Sequence, residues 1–288
     1  MEYILNKVVR FEHLFPKSST NYLKENHYRT YLLKNRIKHY YYRMMPPKHL
    51  IQYDKIIDGS IPVIIINYNR CQTLMQMVDW LQNLEDAVSI IIIDNASTYP
   101  PLLQYYDSLD FSNVQVMRFE KNHRLKKMIA ISQTMQQFDY YVITDSDLIP
   151  YHDTKGDILS RMKTMLAKYK DINHVGASLA IHDLPEHYPL KEAVESWESQ
   201  FWDKPREKDV YDACVDTTFG MYRGDSYAME LYPALRLGKN YSLKHVDWYL
   251  DPLNISAEGQ HLMEFSTSVS TWNTRLKNAL PGLENLNS

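Results

Sequence analysis

From residue 62 onward the chain alternates between short unbroken apolar runs and longer stretches in which apolar residues recur every three or four positions. VIIIN (63–67) and SIIIID (89–94) are continuous β-branched runs, the pattern of strands buried on both faces. Between them Leu74, Met77, Val78, Leu81 and Leu84 fall on one helical face. NVQVMRF (113–119) reads as a third strand and RLKKMIAISQTMQQF (124–138) as a helix. YYVIT (140–144) reads as a fourth strand and ILSRMKTMLAKYK (158–170) as a helix. The order strand, helix, strand, strand, helix, strand, helix, with short connections, predicts an open α/β fold with a mostly parallel central sheet flanked by helices. HVGASLA (174–180) and VDTTFGMYR (215–223) are later, less regularly spaced strand candidates.

Two segments fall outside this alternation. HYRTYLLKNRIKHYYYRMM (27–45) interleaves aromatic and aliphatic residues with Lys and Arg, and Pro46 and Pro47 stop it. It predicts a basic amphipathic helix in an N-terminal extension, residues 1–58, ahead of a main domain at 59–288. That helix either attaches to an anionic membrane surface or a partner, or packs on the main domain with a solvated basic face. The segment 181–211 is charged and aromatic. It predicts an amphipathic helix burying Val194, Trp197 and Phe201, with an aromatic-rich mobile cover as the functional alternative.

Charge sharpens the first segment. Residues 1–50 hold ten Lys/Arg against three Asp/Glu, a net of +7, which leaves −10 on the other 238 residues for −3 in all. This balance does not suggest a nucleic-acid binder. The 23 tyrosines suit polar ligand surfaces. Cys71 and Cys214 fit no metal spacing and read as reduced thiols. Apolar runs reach only about six residues, far short of the ~20 that span a bilayer. The expectation is a cytoplasmic protein, peripheral at the inner face of a membrane through residues 1–50.

Candidate chemistry gathers at strand ends. The first strand ends in Asn67-Tyr68-Asn69-Arg70, the second in Asp94-Asn95-Ala96-Ser97, and the fourth in Asp145-Ser146-Asp147. Parallel strands bring these ends to one edge, where ligands of such sheets bind. Asn67 and Asn95 are equally well read as turn and cap residues. Two carboxylates held close repel unless a cation lies between them. Hard divalent ions take oxygen ligands and substrate phosphates, so Asp-x-Asp at a strand end fits a metal–diphosphate clamp, although Asp/Ser clusters also form plain turns. No GxGxxG follows the first strand and no GxxxxGK[ST] occurs, against a dinucleotide-binding dehydrogenase and a P-loop NTPase.

The succession IPVIIINYNR, IIIIDNAST, FEKNHRLKKMIAI, YYVITDSDLIP resembles the nucleotide-binding half of GT-A-fold glycosyltransferases, family 2 and its relatives, over about residues 60–150. The resemblance implies a nucleotide-binding half at 59–150 and an acceptor-side half at 151–288. It implies that Tyr68, Asn69, Arg70 and Asn122 lie near the nucleotide and that Asp94 bonds the base. Asp145 and Ser146 would meet the ribose and diphosphate, and Asp145 and Asp147 would hold Mn²⁺ or Mg²⁺. The donor would be a nucleotide-diphosphate sugar, UDP-linked by the family's habit. The acceptor would be a hydroxyl of a glycan or lipid-linked acceptor in polysaccharide or glycoconjugate synthesis, with inversion.

In the second half, KHVDWYLD (244–251) occupies the place of the family's acidic motif but has Lys244-His245 where Glu-Asp is usual. His245 resembles a late histidine that joins the metal in other GT-A enzymes, or is an ordinary histidine; if that resemblance signals a retaining group, no dedicated base is needed. Asp216 and Asp247 compete for the base that deprotonates the acceptor. Trp248 either packs on a sugar or belongs to the core. The competing readings are a sugar nucleotidyltransferase, which expects glycines after the first strand that IIINYNRCQT lacks, and a non-catalytic GT-A-like binding protein.

Overall fold

A computed structural model describes residues 53–121, 125–215, 218–226 and 233–265, with the backbone alone for 125–129. The chain divides into two units, 1–46 and 47–288, and the described residues lie in the second. The expected basic helix at 27–45 and the 1–50 membrane contact lie outside the described residues, as do Asn122 and Asp216.

The elements are β1 (Ile61–Asn67), α1 (Gln72–Gln82), β2 (Val88–Asp94), α2 (Pro100–Ser108), β3 (Val114–Arg118), α3 (Leu125–Met135), β4 (Tyr140–Asp145), β5 (Leu148–Pro150) and α4 (Ile158–Lys168). Then follow β6 (His174–Leu179), α5 (Lys191–Ser199), β7 (Pro205–Glu207), β8 (Val210–Asp212), β9 (Gly220–Arg223), β10 (Ala234–His245) and α6 (Ala257–Phe265). One sheet takes the order β3-β2-β1-β4-β9-β6-β10-β8-β7, with β5 paired to β10. β1 runs parallel to β2 and β4, β2 to β3, and β6 to β10. β9 runs antiparallel between β4 and β6. Thus β3, β2, β1, β4, β6 and β10 all point the same way, and their carboxyl ends share one edge.

The apolar runs explain the layering. In β1, Val63 and Ile65 face a core with Leu74, Met77, Val78 and Leu81 of α1, while Ile64 faces a second core with Ala130, Ile131 and Met135 of α3. Each fully buried Ile or Leu contributes about 1.5–3 kcal/mol. A strand covered on both sides therefore has no polar alternation to show.

Three expectations need correction. The third strand does not follow the second directly, because α2 intervenes. Its Pro100 and Pro101 occupy the first helical turn, where a missing N–H costs nothing, and Leu102 and Tyr106 bury at i and i+4. The late strand expected at 215–223 is confined to Gly220–Arg223 among the described residues. In α5 the inward positions go to Val194 and Glu198, while Trp197 remains 46% exposed. Glu198 turns inward because its Oε2 accepts a 2.7 Å bond from buried Arg236 of β10. Phe201 is buried as expected, with the Arg236 guanidinium over its ring at 4.1 Å.

Candidate functional site

The chain leaves β1 to build β2 and β3 on one side, then returns to place β4 on the other side of β1. That reversal opens a crevice at the carboxyl ends of β1 and β4. The loops that border it are locked by their own side chains. Asn67, fully buried, donates through Nδ2 to the Tyr106 hydroxyl (2.7 Å) and to the Arg70 carbonyl (3.0 Å). The Tyr106 hydroxyl donates to Asp94 Oδ1 at 3.0 Å, and the Ser97 N–H donates to Asp94 Oδ2 at 3.1 Å. Arg118 Nε lies 4.0 Å from the same Oδ2.

Asn69 takes φ +54° and Ala96 takes φ +65°, the left-handed region. Asn tolerates that region better than most residues. The Asn69 N–H donates to Ser97 Oγ (2.8 Å), and its Oδ1 accepts from the Thr98 and Tyr99 N–H groups (2.7 and 3.0 Å). The side chain of Asn69 therefore faces the second loop and joins it to the first. Tyr68 is half-buried, and burial followed by the nearby Asp94 charge raises its phenol above the ordinary value.

At the end of β4, Asp145 pairs in register with Ile66, and the Ser146 N–H donates to the Ile66 carbonyl at 3.2 Å. Asp147 then meets residues from far along the chain. β10 runs antiparallel to β5, so His245 stands opposite Leu148, and the Val246 N–H donates to the Asp147 carbonyl at 2.9 Å. His245 Nε2 lies 3.7 Å from Asp147 Oδ2. Its ring stacks on Trp248, with centroids 4.7 Å apart and planes at 7°. Trp248 is 1% exposed and forms the floor beneath that imidazole, so its place is in the core reading, away from solvent.

Asp247 sits in a short 3-10 turn, Val246–Tyr249, and is buried. Arg70 Nη2 donates to Asp247 Oδ2 at 2.5 Å and lies 3.7 Å from Asp147 Oδ2. Burial opposes ionisation of Asp247, but Arg70 and then His245 outweigh it and hold the carboxyl below the usual range. Burial likewise opposes the charge on Arg70, and Asp247 and Asp147 together keep it firmly protonated.

Asp147, His245 and Asp247 each offer a donor atom, all within 4.8 Å of one another. His245 Nδ1 is buried without a hydrogen-bond partner. Two carboxylates and an imidazole suit Mn²⁺, and also Mg²⁺ with the carboxylates. The residues present therefore fit a divalent cation. Asp145, expected beside Asp147 as a ligand, stands outside this triad, whereas Asp247, expected to compete with Asp216 for the base, stands inside it.

Some contributors were not foreseen. Tyr106 closes the Asn67–Asp94 link, and a phenol in a helix gives no local sign of that role. Beyond Asp147 a second cluster gathers. The Tyr249 hydroxyl bonds Asp183 Oδ1, Lys244 Nζ lies 3.6 Å from the Tyr249 ring centroid, and the Tyr151 ring meets His182 edge-on at 5.1 Å.

A family model described as "Glycosyl transferase family 2" matches residues 63–214. No curated protein matches the chain. Among solved structures, mannosyltransferase PcManGT from Pyrobaculum calidifontis, in complex with GDP-Man and Mn²⁺, is 14% identical with a TM-score of 0.42, covering 89% of this chain and 78% of that one. Glucosyl-3-phosphoglycerate synthase from Mycobacterium tuberculosis, in complex with phosphoglyceric acid, is 15% identical with a TM-score of 0.36, covering 58% of each chain. The same synthase with Mn²⁺, UDP-glucose and phosphoglyceric acid gives 15% identity and a TM-score of 0.35, over 58% of this chain and 57% of that one.

Proposed function

The chain belongs to glycosyl transferase family 2, and from that premise we propose that it moves a sugar from a nucleoside-diphosphate sugar, UDP-linked, to a hydroxyl of a glycan or lipid-linked acceptor in polysaccharide or glycoconjugate synthesis. The observation that carries this reading is the convergence of Asp147, His245 and Asp247 at the crevice between β1 and β4. These three would hold Mn²⁺ or Mg²⁺. The ion would neutralise charge growing on the departing diphosphate.

The chain's own groups divide the remaining work. Asp94 and Tyr68 border the nucleobase, and Asn69 and Tyr106 keep the two loops apart at a fixed spacing. Asp145 and Ser146 meet the ribose and diphosphate, and Asn122, outside the described residues, is assigned to the nucleotide by resemblance alone. Arg70 keeps Asp247 ionised and supplies a second positive charge 3.7 Å from Asp147. The base role goes to Asp216 in this reading. Asp247 is buried, held ionised by Arg70, and turned toward the cation site. Asp216 follows buried Val215, which packs against β6 so tightly that a Cβ at Gly176 would fall 2.5 Å from its Cγ1. Inversion follows if Asp216 takes the acceptor proton.

Among the described residues no helix is long and apolar enough to cross a membrane. Contact with an anionic membrane surface is assigned to residues 1–50 on their +7 charge. The test is a UDP-release assay with a panel of UDP-sugars and GDP-sugars, with Mn²⁺ or EDTA. Metal-dependent release with a UDP-sugar supports the reading. No release and no thermal shift with any nucleotide plus metal would overturn it.

A further inference from the structure

Helix α6 lies across both loops that border the nucleoside side of the crevice. Near its start, Glu258 Oε2 accepts the N–H groups of Cys71 and Gln72, both at 3.0 Å. These open α1, whose N-cap Cys71 makes no side-chain cap of its own. Glu258 thus places an anion on the positive end of that helix. One turn later, His261 Nε2 lies 3.0 Å from Thr98 Oγ1, and its ring centroid is 5.1 Å from that of Tyr99. At the end, the Phe265 carbonyl accepts the Tyr68 hydroxyl at 2.5 Å. The contacts alternate between the loop after β1, the loop after β2, and the loop after β1 again.

No residue of α6 is buried, and Phe265 is 43% exposed. The helix therefore rests on polar contacts and a few ring edges, the kind of element that opens locally at small cost. Beside Glu258 an open cleft of about 470 Å³, bordered by Met75, Tyr99 and Tyr105, leaves room for movement. The segment 250–256, which ties α6 to the turn carrying Asp247, holds Leu253 at 96% exposure. One short connection thus links the cation site to the element over the nucleoside side.

We infer that α6 is a strap over the donor's nucleoside cleft, with Glu258 and His261 as the positioning residues that latch it. It must lift for a nucleoside diphosphate to enter and leave, and it closes over the bound nucleoside. This rests on the donor-site reading above. A merely structural helix would change stability when unlatched and leave nucleotide exchange rates alone, whereas a gate changes both entry and exit.

The experiment is stopped-flow tryptophan fluorescence of UDP binding with Mn²⁺, on the full chain and on Glu258→Ala, His261→Ala and the double variant, with GDP as a second probe. A parallel measurement follows hydrogen exchange of residues 257–265 in the unaltered protein with and without UDP and Mn²⁺. The expected result is association and dissociation each about tenfold faster in the double variant, and slower exchange in 257–265 when UDP is bound. UDP rates within twofold of the unaltered protein, with exchange in 257–265 indifferent to UDP, would overturn the strap alone. Failure of the unaltered protein to bind either nucleotide would overturn the donor-site reading on which it rests.

Discussion

The sheet has two halves of different character, and the crevice lies where they meet. In β1 to β4 every strand runs the same way and the bordering loops are tied by their own groups, Asn67 to Tyr106 to Asp94 and Asn69 to Thr98. From β5 onward parallel and antiparallel pairs are mixed, and β10 shifts register between Leu237 and Ser242 with Lys239 at φ +48°. The first half is prearranged by itself. The second delivers His245 and Asp247 to it, and the cation joining both is Arg70. The difference teaches that a regular half can fix its own loops by local bonds, while an irregular half brings in groups from far along the chain.

Removing the joining cation should do the most damage. Arg70→Ala leaves Asp247 buried without its partner, a loss of about 3–5 kcal/mol. Denaturant unfolding should show it, and Mn²⁺ should restore part of it by replacing the lost positive charge. If Arg70→Ala unfolds like the unaltered chain, the two halves are not joined there. Asp147→Asn should lower transfer on the order of 10²–10³-fold with the fold intact by circular dichroism. Activity within threefold would remove Asp147 from the cation site.

Acid should separate the halves. His174 of β6 is fully buried, and burial pushes its imidazole down to about 4, against a weaker opposing bond to the Val215 carbonyl. Its contribution to stability is intact above the unfolded value of about 6.5 and is lost as pH falls toward 4, about 3 kcal/mol in all. Hydrogen exchange at pH 5 should quicken in β6 and β9 before β1 and β2. A His174→Phe variant should flatten the dependence, and an unchanged slope would sink the assignment. Asp247 acts lower. Its carboxyl is held below the usual range, so its contribution persists above the unfolded value near 3.9 and disappears as pH falls through its folded value.

The smallest effect belongs to the first half. Tyr106→Phe deprives Asn67 and buried Asp94 of a shared hydroxyl, costing about 1–3 kcal/mol. Nucleotide affinity should fall with it, because the loop spacing depends on that bond. Unaltered affinity would mean that the loops are held by Asn69 alone.

How far the chain explains itself follows the same division. β1, β2 and β4 were legible because strands covered on both faces leave unbroken β-branched runs. α2 was hidden by Pro100 and Pro101, which look like a break and act as a helix start. β10 was hidden because Gly238, Lys239 and Asn240 interrupt its apolar pattern. Asp147 and His245 were singled out by resemblance, but the pairing of Asp247 with Arg70 spans 177 residues and leaves no local pattern. Glu258 and His261 reach partners 187 and 163 residues away, from a helix with no buried stripe to announce it.

The central claim is that Asp147, His245 and Asp247 hold one divalent ion against a nucleoside diphosphate. Electron paramagnetic resonance of Mn²⁺ titrated into the full chain with UDP tests it most directly. The account predicts one bound Mn²⁺ per chain, held more tightly with UDP than without, and lost in both Asp147→Ala and His245→Ala. Mn²⁺ binding that survives both substitutions, or UDP binding equally well in EDTA, would contradict it.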